Sequence, residues 1–243
     1  MFNPRNNSPF GGRQSNTSAY QYQPLPYNMV GTQANGLISK VMALLATSFL
    51  VATVASFIGM AIGLTFGPSI IILIAGFVVL IALHAMINKP GWNLALLFLF
   101  TFLEGLSIAP IIGLYLSVGA GYIVGQAFLI TTVTSLSLAF YAWTAKRSFA
   151  RLGDYLFVGL ILLIVTSLVG LLFHSTFFAL LIAFFAVAIF CGYILYYVQR
   201  AKYMADTLPN AVGLTVSLFI TIMNLFLYIL EILSIFQGGG RRR

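Results

Sequence analysis

The sequence predicts an all-α, polytopic membrane protein, a bundle of seven transmembrane helices behind a polar N-terminal tail. Two observations carry that prediction. Sixty per cent of the residues are hydrophobic and only 7% are charged, with a mean hydropathy of +1.02, whereas soluble domains carry about 25% charged residues. The apolar residues also gather into runs of about 20, the length that crosses ~30 Å of hydrocarbon. The alternation of period two that marks a membrane barrel is absent. Helices are then the remaining way to satisfy the backbone in lipid.

The elements follow in chain order. Residues 1–35, which include NPRNNSPFGGRQSNTS, are rich in Asn, Gln, Ser, Pro and Gly. Such a segment buries too little apolar surface to offset its ordering entropy, so a disordered tail is expected. The first apolar run begins only after Lys40, too far along for a secretory signal, and is read as a retained helix. The seven runs are Val41–Leu64, Pro68–Ile87, Trp92–Leu116, Gly121–Trp143, Tyr155–Phe173, Thr176–Tyr197 and Ala211–Phe236. The 243 residues suffice for one membrane domain, residues 36–236, followed by a short basic tail, 237–243, containing GGGRRR.

The net charge of +8 comes from 12 basic and 4 acidic residues. Their placement marks them as orientation signals and excludes a nucleic-acid patch. Arg5, Arg13 and Lys40 precede helix 1, and Lys89 lies between helices 2 and 3. Lys146, Arg147 and Arg151 lie between helices 4 and 5, and Arg200 and Lys202 between helices 6 and 7. The alternate loops, near Gly67, Ser117–Ala120 and His174–Ser175, hold no Lys or Arg. The N-terminus is therefore expected in the cytoplasm and the C-terminus outside. The terminal RRR violates the rule there; the alternative is a last segment that re-enters and leaves on the cytoplasmic side.

Ionisable residues within the runs are the first candidates for function. Glu104 lies about 18 Å along helix 3 at ~1.5 Å per residue, near mid-membrane, and Glu231 lies in the outer part of helix 7. No Lys or Arg falls inside any of the seven runs. Hydrocarbon disfavours a charged carboxylate, so an unpaired one is expected to be protonated. Each glutamate reads either as a proton-sensitive site or as a neutral, hydrogen-bonded carboxyl. Pro110 removes a helical hydrogen bond one turn beyond Glu104 and is expected to kink helix 3. Gly59 with Gly63, and Gly121 with Gly125, form G-x-x-x-G pairs suited to close helix approach. Asn224 and Gln199 read as interhelical hydrogen-bonding residues.

Metal, cofactor and catalytic chemistry find little support. His84 and His174 form no metal motif, and H-E-x-x-H is absent. Cys191, the single cysteine, lies in an apolar run and supports neither an intramolecular disulfide nor a thiol metal cluster. No serine–histidine pairing within the bundle is suggested, and helix 7 has no lysine to hold a retinal. No cofactor and no enzymatic activity are expected.

Four stretches in order, TFLEGLSIAP, AWTAKRSFARLGDYLFVGL, ILYYVQR and LFITIMNLFLYILEIL, resemble the Bax inhibitor-1 family over residues 36–236. The resemblance implies a bundle with helix 7 at its centre. It also implies one of two activities: a pH-sensitive calcium leak, or modulation of a membrane-anchored ATP-dependent protease. The family's leak is tied to an aspartate pair on helices 6 and 7. Those positions match Tyr197, in YYVQ where FDTQ is usual, and Thr221, in LFITIMNLF where LYLDIINLF is usual. Neither is acidic here, and Glu231 stands where many members carry Arg. The pattern is closer to the bacterial YccA-type branch. It implies an inner-membrane modulator of protein quality control or stress acting through contact with such a protease, with the bilayer as its other partner. An ion leak using Glu104 is the alternative.

Overall fold

A computed structural model describes residues 30–173 and 175–238, without the side chains of residues 30–34, Leu171 and Phe173. The disorder expected for residues 1–29, the terminal basic run and His174 lie outside the described residues. The chain forms α1 (Val30–Ala61), α2 (Phe66–Met86), α3 (Trp92–Ser117), α4 (Gly121–Thr144), α5 (Leu152–Phe173), α6 (Thr176–Ala201) and α7 (Leu208–Gly238). All seven are long and apolar enough to cross a membrane, and the described residues contain no strand.

Several helices outrun the apolar stretches that announced them. The first starts at Val30, within the stretch assigned to the tail, so Lys40 lies inside α1 and not ahead of it. A helix ends where its backbone is interrupted, and nothing between Val30 and Lys40 interrupts it, Pro being absent there. At the other end of α1, Gly63 turns the chain at φ 67°, and Gly119 does the same after α3 at φ 70°. A side chain resists that left-handed conformation and glycine does not. Thr207 opens α7 with its hydroxyl 3.4 Å from the Asn210 amide. Pro209 falls in the first turn, where its missing N–H costs no helical bond.

The seventh helix is central, packing on α1, α3, α4 and α6. Its span and that of α6 are the most buried, those of α5 and α2 the least. The second helix rests chiefly on α3 and the fifth on α6. Their outer faces, with Ile71 and Phe77 on α2 and Leu162 and Leu168 on α5, are exposed apolar surface suited to lipid. Phe219 of α7 anchors the core, its ring 5.0 Å from Phe49 of α1 and 6.0 Å from Phe100 of α3.

The tightest helix pair is α1 with α3. A Cβ at Gly105 would coincide with the backbone of Ala52, and one at Gly59 would lie 2.5 Å from the Ala109 methyl. Pro110 lies inside a helix that stays continuous through it. The carbonyl it deprives of a donor, that of Leu106, faces Gly59 of α1. Only half of the glycine expectation survives. Gly59 is a point of close approach, but Gly63 has left the helix, and nothing lies within 4 Å of a Cβ at Gly125. A G-x-x-x-G spacing creates a flat stripe, and whether a partner covers it depends on how the helix is rotated.

Candidate functional site: a polar cleft on the seventh helix

A cavity of about 590 Å³ opens between α5, α6 and α7, with His84 of α2 at its edge. Its wall on α7 is a stripe: Ser217, Thr221, Asn224 and Tyr228 all line it. Steps of four, three and four residues keep these side chains on one helical face. From α6 come Phe190, Tyr193 and Tyr197, and from α5 come Leu163 and Ser167. Tyr197, Thr221 and Asn224 therefore share one cavity, although they come from segments more than 20 residues apart.

The stripe is polar but electrically neutral. Ser217 donates to the Gly213 carbonyl at 2.9 Å, Thr221 to Ser217 at 2.7 Å, and Asn224 to Ile220 at 2.8 Å. Each bond runs back four residues within α7, so Asn224 does not cross-link helices as its type suggested. The Asn224 amide keeps its second hydrogen and its carbonyl oxygen for the cavity. From Tyr228 of the stripe the aromatic rings form a ladder along α6. Tyr228 stacks on Phe190 at 5.9 Å, Phe190 meets Tyr193 at 6.5 Å, and Tyr193 stacks on Tyr197 at 5.6 Å. Tyr196 closes the ladder edge-on at 5.3 Å from Tyr197. His84 holds a ring nitrogen 2.8 Å from the Leu80 carbonyl.

No carboxylate lines this cavity. Glu104 lies at the boundary of α2 and α3, where a Cβ on Gly76 would be 3.7 Å from its Oε1. Glu231 lies three residues beyond Tyr228, further along the same helix. No hydrogen bond joins the two glutamates among the described residues, and the structure does not bring them together. Among the described residues, no three His, Cys, Asp or Glu side chains gather as a metal site.

Gln199 does something its position did not announce. Buried at the end of α6, it accepts a hydrogen bond from the Phe149 amide and donates one, at 2.6 Å, to the Arg147 carbonyl. It clamps the α4–α5 loop to α6. A polar residue ending an apolar run was the available signal, but nothing in the sequence told which backbone it would meet. The lining role of His84, Tyr193 and Tyr228 was likewise missed. The spacing of Ser217, Thr221, Asn224 and Tyr228 could have revealed the stripe.

The pattern of the family described as "Inhibitor of apoptosis-promoting Bax1" matches residues 34–238, almost the whole described chain. The protein belongs to the Bax inhibitor-1 family. Relatives of that family extend across bacteria, animals and viruses. A membrane protein of Vibrio cholerae is 29% identical over 208 residues, 85% of this chain and 92% of that one. Mouse protein lifeguard 4 is 32% identical over 206 residues, 81% of this chain and 84% of its own. The Golgi anti-apoptotic protein of vaccinia virus, strain Lister, is 31% identical over 207 residues, covering 82% and 84%. Membership makes this a multi-pass membrane protein of a family that is not an enzyme family.

Proposed function

We propose that the protein is a non-enzymatic modulator of membrane protein quality control or stress response in the bacterial inner membrane. It acts by contact with a membrane-anchored ATP-dependent protease, its N-terminus in the cytoplasm. One observation carries the reading: the cleft that holds Tyr197 and Thr221 contains no carboxylate. A stacked tyrosine and a threonine bonded to its own helix can neither gather calcium nor titrate as a coupled pair near neutral pH. The leak tied to that pair is therefore missing its machinery, and contact is the activity that remains. Asn224 and the neutral stripe suit a facing transmembrane helix, since small polar side chains hydrogen-bond across helices in lipid. Glu231 extends the same face. Residues 1–29, which precede α1, are a segment such a protease could grip.

Two measurements on the full chain separate the readings. Photocrosslinkers placed at Asn224 and Glu231 in native membranes are expected to capture the protease. Calcium flux in proteoliposomes is expected to show no leak that switches on around neutral pH. A strong leak that titrates near neutrality, persists in Glu104→Gln and Glu231→Gln, and comes without a crosslinked protease would overturn the proposal. Loss of a leak in Glu104→Gln alone would instead assign ion passage to Glu104.

A further inference from the structure

Five cations gather at one end of the bundle, brought there by two loops about 50 residues apart. Lys146, Arg147 and Arg151 belong to the α4–α5 loop, and Arg200 and Lys202 to the end of α6 and the residues after it. Gln199 joins the two segments by holding the backbone at Arg147 and Phe149. The cations do not simply trail into water. The Arg147 guanidinium lies 5.1 Å from the Phe149 ring and 5.8 Å from Tyr141. The Lys202 ammonium lies 5.3 Å from the Trp143 ring. Arg200 lies 6.0 Å from Tyr196. Aromatic rings at the ends of membrane spans sit at headgroup depth, where one edge is apolar and the other wet.

This arrangement exceeds what orientation requires. The bias that orients a membrane protein depends on how many Lys and Arg flank each span, not on loops folded together or cations laid on rings. Among the described residues, Lys146, Arg147, Arg151 and Lys202 make no ion pair, and neighbouring Asp154 is not bridged to any of them. Burial pulls the Lys202 ammonium below the ordinary lysine range, a cost that a bound anion would offset. We propose that the joined α4–α5 and α6–α7 loops form a receptor for the phosphate of an anionic phospholipid, with Arg147 and Lys202 as its principal cations. Arg147 presents a planar fork to two phosphate oxygens, and Lys202 supplies a point charge beside Trp143. The acyl chains would lie along the adjoining apolar helices. Phosphate alone could come from solution, but the flanking rings and spans favour a lipid source.

The test uses Trp143 as a local reporter, since the chain has two tryptophans and Trp92→Phe leaves one. Phosphatidylglycerol is titrated into dodecyl maltoside micelles of the full-length protein while Trp143 emission is read. A saturable change is expected with phosphatidylglycerol and none with phosphatidylcholine or inorganic phosphate. Arg147→Gln with Lys202→Gln is expected to raise the midpoint on the order of 25-fold, about fivefold per lost cation. Arg13→Gln with Lys89→Gln removes the same charge outside these two loops and is expected to leave the midpoint within about twofold, because a site and not a diffuse field is read. Equal shifts in the two double variants, or saturation by inorganic phosphate, would overturn the proposal. Should the first pair fail to fold, Lys202→Gln alone is read in its place: an unchanged midpoint overturns the site, and about a fivefold rise supports it.

Discussion

Gly105 illustrates how much a single atom decides here. Without a side chain it lets the α3 backbone lie against Ala52 of α1, and a methyl group would occupy the same space. Lipid gives little hydrophobic drive for helices to associate, so close packing of this kind carries much of the bundle's cohesion. Gly105→Ala is expected to force the pair apart and cost about 1–3 kcal/mol, the range for overpacking. Gly125→Ala meets open space and should be neutral or slightly stabilising, because alanine loses less backbone entropy than glycine in a helix. Thermal unfolding in detergent measures both. Equal midpoints for the two variants would show that the α1–α3 contact does not limit stability. Neither glycine differs from the other in the sequence by any local sign. The neighbours that distinguish them lie across the helix interface.

Whole elements are held together at the basic end by a second polar contact. Lys40 of α1 reaches Asp206, between α6 and α7, at 2.9 Å, and Gly36 leaves room for the same carboxylate. The pair ties α1 to the turn that launches α7, where Asn210 also bonds the Ala205 carbonyl at 2.9 Å. Its side chains keep 50% and 24% of their exposure, so water screens the attraction. A double-mutant cycle with Lys40→Ala and Asp206→Ala is expected to give a coupling of about 0.2–1 kcal/mol. A coupling several times larger would mean that the contact is shielded by lipid. At the opposite end Gln237 of α7 donates to Gln126 of α4 at 2.7 Å, so the central helix is pinned near both of its termini.

At the scale of the molecule the testable property is topology. Seven spans place the loops carrying Lys and Arg on one side and the uncharged loops on the other. Single cysteines at Gly67, Ser117 and Ser175, in a Cys191→Ala background, are expected to react with an impermeant thiol reagent from outside the cell. A cysteine beside Lys146 should react only after the membrane is opened. Labelling of that position in intact cells would invert the bundle. It would also move the proposed phospholipid receptor to the outer leaflet.

Apolar run length and charge placement were enough to define seven membrane helices and their relative sides, because the demands of lipid on backbone and charge act on each segment separately. The uncharged side chains at Tyr197 and Thr221, where the family resemblance implies an acidic pair, were also legible one residue at a time. Which residues meet was not legible. Helix ends depend on where the backbone is interrupted, which is why α1 extends back to Val30. The cleft depends on how α6 and α7 are rotated about their axes: that rotation gathers Tyr197, Thr221 and Asn224, joins His84 to them, and leaves Glu104 outside at the α2–α3 boundary. A polar stripe marks one face of α7, but nothing within that helix says which neighbour the face will meet, so the stripe alone does not fix the rotation. The rotation follows from small residues, close backbone approaches and a few hydrogen bonds such as those of Gln199, all of which exist only once the partner helix is in place.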